Sequence, residues 1–252
     1  MKPVRAKTAD TGLPFKAILF DWAWTLVDLD IEDDCRPLKK VYEFLQQKDV
    51  ALPDFDACLQ TSRKVFGEMI ELSRRTQREA CFEHALSYLL LHHSIKIVGK
   101  TTVREILSVY YKEVYAVRKV FSDVVPALDQ LRARGFRLGI ISNTTNPGFM
   151  KDYERESLGL DSYFEFAIYS SEVPYRKPHP SIFNLGARFL RLENKEILYV
   201  GDNIEIDVVG AQKAGMTAAW LNRDGEGRSQ GIVPEYEISD LSQLLSLAPA
   251  QV

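Results

Sequence analysis

The sequence predicts an α/β fold: a doubly wound parallel sheet, interrupted early by an inserted all-helical sub-domain. Three observations predict it. From about residue 118 onward, short apolar runs alternate with amphipathic stretches, the pattern of parallel strands joined by crossover helices on both sheet faces. One further apolar run, near the N-terminus, stands apart from the others. Between them, residues 30–117 repeat apolar positions at three- and four-residue spacing with no strand pattern, which is too long a block for a crossover and marks a sub-domain. The expected division is therefore an α/β core over 15–29 and 118–252, with the helical insertion over 30–117.

The elements follow in order. Residues 1–14 are polar, include Gly12 and Pro14, and predict a loose tail. "FKAILFD" is a continuous apolar run, as expected of a strand buried on both faces. "RPLKKVYEFLQQ", "FDACLQTSRKVFGEMIELSRR", "REACFEHALSYLLLHH" and "TTVREILSVYYKEVYAV" are four amphipathic helices, with Pro53 and Gly99 among the separators. "VVPALDQLRARG" is a helix stopped by Gly135. "FRLGIIS" is a strand, "NPGFMKDYERESLG" a helix and "YFEFAIYS" a strand. "HPSIFNLGARFLRL" is a helix with Pro180 in its first turn. "EILYVGD" is a strand, "IDVVGAQKAG" a helix, "TAAWLN" a strand, and "LSQLLSL" a closing helix.

Composition narrows the partners. A formal net charge of -3 gives no electrostatic reason to expect nucleic acid or an acidic membrane surface. No run approaches the roughly 18 apolar residues that cross a bilayer, and no signal-peptide pattern follows the basic N-terminus; the expected compartment is the cytoplasm. Cys35, Cys58 and Cys81 lie far apart and form no CxxC pair, so they are expected as small buried hydrophobes.

An open parallel sheet binds its ligands beyond the carboxyl ends of its strands. The first strand offers Asp21 there and the second Ser142 and Asn143. Lys177 lies just past the third, and the fourth offers Asp202, followed by Asn203 and Asp207. Asp21 and Asp202 suit a hard cation such as Mg2+, which binds through one or two carboxylates with water and phosphate oxygens. A carboxylate is also a nucleophile that forms an acyl phosphate or an ester. A hydroxyl and an ammonium beside it suit the oxygens of an anionic substrate.

"FDWAWTLVD", "IISNTT", "RKPHPSIF" and "YVGDNIEIDVVGAQKAGM" together resemble the four motifs of the haloacid dehalogenase superfamily, in the expected order. The helical block after the first motif resembles that superfamily's small helical cap on a Rossmann-like core. The resemblance implies a hydrolase, Asp21 as nucleophile and Mg2+ ligand, Asp202 as second carboxylate ligand and the Ala23 carbonyl as another. It implies Ser142 and Lys177 on the phosphate of a small phosphorylated substrate, with Thr25 fixing the loop. Asn203 and Asp207 would orient Lys177 or metal-bound water. The residues alone also allow Ser142 as a cap of the following helix, Asp207 as a complement to its own helix dipole, and Thr25 as a loop-backbone partner.

One position departs from the phosphatase pattern. Phosphatases of the superfamily carry a second Asp two residues after the nucleophile, and here that position is Ala23. Trp24 replaces the usual glycine at the next position, and its indole is expected to narrow the site mouth or pack on the cap. The main expectation is a Mg2+-dependent phosphatase working through an aspartyl intermediate. The alternatives are a non-catalytic phospho-ligand or protein binder, and a hydrolase of phosphonates or haloacids. "DWAWT" resembles the "DWAGT" of phosphonoacetaldehyde hydrolases, for which Lys64 would be the imine-forming cap lysine; Arg36 and Arg63 are the candidate cap arginines of a dehalogenase.

Overall fold

β1 (Ala17–Phe20) is apolar throughout and fully buried, because strands pair on both its edges and helices cover both its faces. It pairs in parallel with β4 (Arg137–Ser142) and with β6 (Ile197–Gly201), placing it at the centre of a six-stranded sheet. β5 (Phe166–Tyr169) lies outside β4, while β7 (Thr217–Leu221) and β8 (Tyr236–Ile238) extend the other side, giving the order β5-β4-β1-β6-β7-β8 with every neighbouring pair parallel. The computed structural model describes residues 15–29, 35–225, 227 and 231–247. The tail expected over 1–14 and the expected first residues of the insertion, 30–34, lie outside these.

Alternation along β1 divides the core in two. Ile18 and Phe20 face a cluster with α5 (Val124–Ala133), Leu241 and Leu244. Ala17 and Leu19 face a cluster with α7 (Pro180–Leu190) and α8 (Val209–Ala214). A third cluster forms among α1 (Cys35–Gln47), α2 (Phe55–Thr76), α3 (Phe82–His92) and α4 (Val103–Tyr115). Thr102 and Glu105 close a reciprocal capping box at the start of α4.

Three features differ from expectation. Two short strands, β2 (Val27–Asp28) and β3 (Lys119–Val120), pair antiparallel at the entry and exit of the helical insertion. The edge strand β8 adds to the sheet. The helix expected at 206–215 begins as a π-turn over Ile204–Val208, and the closing helix is a 3-10 helix over Leu241–Leu247.

Candidate active site

The sheet brings its charged residues to one rim. Asp21 follows β1 directly, and its N–H donates to the Val200 carbonyl at 2.9 Å, carrying the strand ladder one residue further. Ser142 ends β4 and is buried. Asp202 follows β6. Lys177 reaches the same rim from the loop after β5, and the Asn143 side chain fixes it there: Oδ1 accepts from the Lys177 N–H at 2.8 Å, and Nδ2 donates to the Lys177 carbonyl at 2.9 Å.

The buried Lys177 ammonium donates to Asp21 Oδ1 (2.6 Å), Asp207 Oδ1 (2.7 Å) and the Tyr199 hydroxyl (2.8 Å), which uses its three donors. Burial works against this charge, but Asp207 and then Asp21 outweigh it and raise the proton affinity above that of a free lysine. Asp207 reaches it from the π-turn. Asn203 starts that turn by accepting from the Glu205 and Ile206 N–H groups, and its own N–H donates to Asp207 Oδ2 at 3.0 Å. A Cβ on Gly201 would lie 2.4 Å from Asp207 Cγ, so only glycine lets this carboxylate seat against the end of β6. Thr25 is fully buried and donates to Asp202 Oδ1 at 2.9 Å while accepting from the Asp202 N–H at 3.1 Å.

Asp21, Asp202 and Asp207 each offer an oxygen within 4.8 Å of the others. Burial, then the charges of Asp21 and Asp207, push the Asp202 carboxyl up to about 8. Burial also pushes Asp207 up to about 6, against the pull of Lys177. Crowded, hard oxygen donors whose ionisation is opposed by one another fit a divalent cation such as Mg2+.

Beside this rim lies a cleft of about 240 Å³, lined by Trp22, Ala23, Ser142 at the end of β4 and the loop after it (residues 143–146), with Ile70, Arg74 and Glu79 from the helical insertion and Arg118, Lys151 and Arg176. The Trp22 indole N–H is buried with no acceptor among the described residues. Glu79 is fully engaged: Oε1 accepts from Ser73 (3.0 Å), the Ala80 N–H (3.0 Å) and Arg176 Nη1 (3.2 Å), and Oε2 from Ser170 (2.6 Å).

The structure thus gathers Asp21, Thr25, Ser142, Asn143, Lys177, Asp202, Asn203 and Asp207 at one place, with Ala23 on the cleft wall. Several expectations are corrected. Ser142 does not cap the next helix, because α6 (Gly148–Ser157) begins six residues later behind Pro147. Asp207 does both: Oδ1 faces Lys177, and Oδ2 serves the start of its own turn by accepting from the Asn203 N–H. Trp24 is 46% exposed and is not among the described cleft residues; it adopts φ 60°, the left-handed region that explains glycine as the usual occupant. Lys64 and Arg63 are exposed on α2 away from the cleft, and Arg36 pairs with Glu113 on α4. The insertion's arginine in the cleft is Arg74. Sequence reasoning also missed Tyr199, whose position in a buried strand signals a hydroxyl in need of a partner, and Arg118, Lys151, Glu79 and Arg176, which carry no such signal.

Residues 15–215 match the family model described as haloacid dehalogenase-like hydrolase. The chain is 29% identical over 242 residues to a glyceraldehyde 3-phosphate phosphatase of Methanopyrus kandleri, covering 92% of this chain and 96% of that protein. It is 32% identical over 169 residues to a phosphoglycolate phosphatase of Yersinia pestis, covering 67% and 70%. Among solved structures it resembles a 2-haloacid dehalogenase from Pseudomonas syringae pv. Tomato DC3000, with a TM-score of 0.68 at 25% identity over 92% of this chain and 97% of that one.

Proposed function

The chain belongs to the haloacid dehalogenase-like hydrolases, and from that premise we propose that it is a Mg2+-dependent phosphatase of a small phosphorylated metabolite. The observation that carries this reading is the buried cluster of Asp21, Asp202 and Asp207 around Lys177, beside a cleft that the neighbouring Trp22, Ala23, Ser142, Asn143 and Arg176 line together with further cationic side chains. Asp21, Asp202 and the Ala23 carbonyl would hold the metal. Bound there, Mg2+ supplies positive charge to a nucleophilic carboxylate and to a phosphate, which otherwise repel.

The chain's own residues do the rest. Asp21 attacks phosphorus in line, forming an aspartyl phosphate as the ester oxygen departs, and water then cleaves the acyl phosphate. Lys177 orients Asp21 through the 2.6 Å contact and offsets charge on the transferring group. Ser142, on the cleft wall, donates to a phosphate oxygen. Asn143 acts by fixing the Lys177 backbone, and Thr25 by holding Asp202. The helical insertion, proposed as a cap over 30–117, covers the cleft and selects the substrate.

The test is hydrolysis of p-nitrophenyl phosphate by the purified chain. Activity is expected with Mg2+, none with EDTA, and none in Asp21→Asn. Inactivity of wild type with Mg2+ toward aryl phosphates, sugar phosphates and phosphoglycolate alike would sink the reading in favour of a phospho-ligand binder. Halide release from 2-haloacids would turn it to the other chemistry named among the relatives.

A further inference from the structure

Departure of an alkoxide from phosphorus demands a proton, and Ala23 has none to give. The described cleft walls carry five ionisable side chains: Arg74, Glu79, Arg118, Lys151 and Arg176. Guanidinium groups do not release protons in proteins. Glu79 already has both oxygens occupied as acceptors by four donors. Lys151 remains.

Its setting is built rather than incidental. Lys151 lies on α6, in the helix that follows β4, and is only 5% exposed. Its ammonium pairs with Glu154 one turn on, itself fully buried, and Arg118 Nε lies 3.8 Å from the other Glu154 oxygen. The same ammonium stands 5.1 Å from the ring centre of Trp22, the neighbour of Ala23, and 6.0 Å from that of Tyr115 on α4. Trp22, Ala23 and Lys151 line one cleft. Burial, assisted by Arg118, lowers the proton affinity of this amine, while Glu154 and Asp21 oppose the fall without cancelling it.

Resting on the phosphatase reading above, we infer that Lys151 is the proton donor to the leaving oxygen, in place of the carboxylic acid that the family's phosphatases carry where this chain has Ala23. As Asp21 forms its bond to phosphorus, the phosphorus–oxygen ester bond breaks. The departing oxygen keeps the electron pair and takes a proton from Lys151 Nζ. The amine is left neutral beside Glu154, whose charge Arg118 continues to balance. In the second half, a water oxygen bonds to phosphorus, its proton passes to Lys151, and the bond between phosphorus and Asp21 breaks, restoring the starting state.

The test compares p-nitrophenyl phosphate, whose phenolate leaves unaided, with glycerol 2-phosphate, whose alkoxide needs the proton. Lys151→Arg keeps the charge and the partner for Glu154 but not a transferable proton; Lys151→Met removes both. Each variant is expected to lose about 10²-fold in kcat/KM on the alkyl ester and less than about fivefold on the aryl ester, and to lose the alkaline fall of the wild-type alkyl profile. A folding defect lowers both substrates together, so the ratio reports the proton alone. An unchanged alkyl-to-aryl ratio in Lys151→Arg overturns the inference while leaving the phosphatase reading intact. Absence of aryl hydrolysis by wild type overturns that reading, and this inference with it.

Discussion

Lys177 meets Asp21, Asp207 and Tyr199 within 2.8 Å, yet this one cation is outnumbered by the three carboxylates gathered at the rim. The imbalance has a measurable consequence for pH. Asp202 and Asp207 have proton affinities raised in the folded state, to about 8 and about 6. Through these two groups the folded chain binds more protons than the unfolded one above pH ~4, so without metal their contribution to stability falls as pH rises toward 8. A cation that binds only the folded, ionised site reverses that fall. The expected outcome is a Mg2+-induced rise in Tm that is small at pH 5.5 and grows through pH 8.5. At a metal concentration of about 100 Kd the stabilisation is ~2.7 kcal/mol, or roughly 5–10 °C for a chain of this size. A rise independent of pH, or also present in Asp202→Asn, would place the metal elsewhere.

Between elements, the helical insertion is latched to the sheet by the loop joining α2 to α3. The Arg176 N–H donates to the Gln77 carbonyl at 2.9 Å, Arg176 Nη1 to Ser73 at 2.8 Å and to Glu79, and Ser170 at the end of β5 donates to Glu79 as well. Because Arg176 immediately precedes Lys177, docking of the insertion and placement of the ammonium share one loop. Removing Glu79 takes away the carboxylate that balances the Arg176 guanidinium, leaving Arg176 with Ser73 and the Ser170 hydroxyl with the Thr144 carbonyl at 3.3 Å. Breaking a buried pair by deleting one partner costs about 3–5 kcal/mol, so Glu79→Ala is expected to lower stability by about that amount in urea melts. It should also raise KM about tenfold while changing kcat less, since the groups that make and break bonds belong to the α/β part and not to the insertion. None of this latch was legible in the sequence. Helical periodicity assigns charged residues to solvent, and so it hides Glu79 and the Lys151–Glu154 pair on the inner face of α6. Asp21, Ser142, Lys177 and Asp202 were legible because parallel topology delivers strand ends to a single rim. β1 announced itself as an unbroken apolar run, and β4, β6 and β7 as short apolar-rich stretches between amphipathic ones. β2 and β3, at two residues each, are too short to carry a period, and β8 alternates at the sheet edge with Glu237 exposed.

At the scale of the molecule, two of the three apolar cores lie on opposite faces of one sheet and therefore share the strands β1, β4, β6 and β7 between them. The third lies among α1–α4 and reaches the α/β part through Met150 of α6, which is 2% exposed within that helical cluster. The Met150 contact and the Glu79 latch are thus two of the ties that join the parts, beside the Phe82 N–H to the Thr145 carbonyl at 3.1 Å and Asn146 Nδ2 to the Tyr115 hydroxyl at 3.0 Å. While these hold, unfolding of the helices uncovers Met150 and frees Arg176, so the chain is expected to melt in one transition. Met150→Ala creates a cavity costing about 2–5 kcal/mol, and it is remote enough in kind from Glu79→Ala for the two losses to add. In the double variant the parts should uncouple, the helical one melting first because a single cluster holds it. The three tryptophans, Trp22, Trp24 and Trp220, all lie outside the helical insertion. Their fluorescence follows the sheet alone, whereas the far-ultraviolet dichroism at 222 nm follows the helices of both parts. The wild-type curves should therefore coincide, and those of the double variant should separate, dichroism falling before fluorescence changes. Coincident curves at a lower midpoint would mean that coupling runs through the remaining ties, the Phe82–Thr145 and Asn146–Tyr115 hydrogen bonds and the β2–β3 pair, where the backbone ladder of Val27 with Val120 and Asp28 with Lys119 joins the two connections into the insertion.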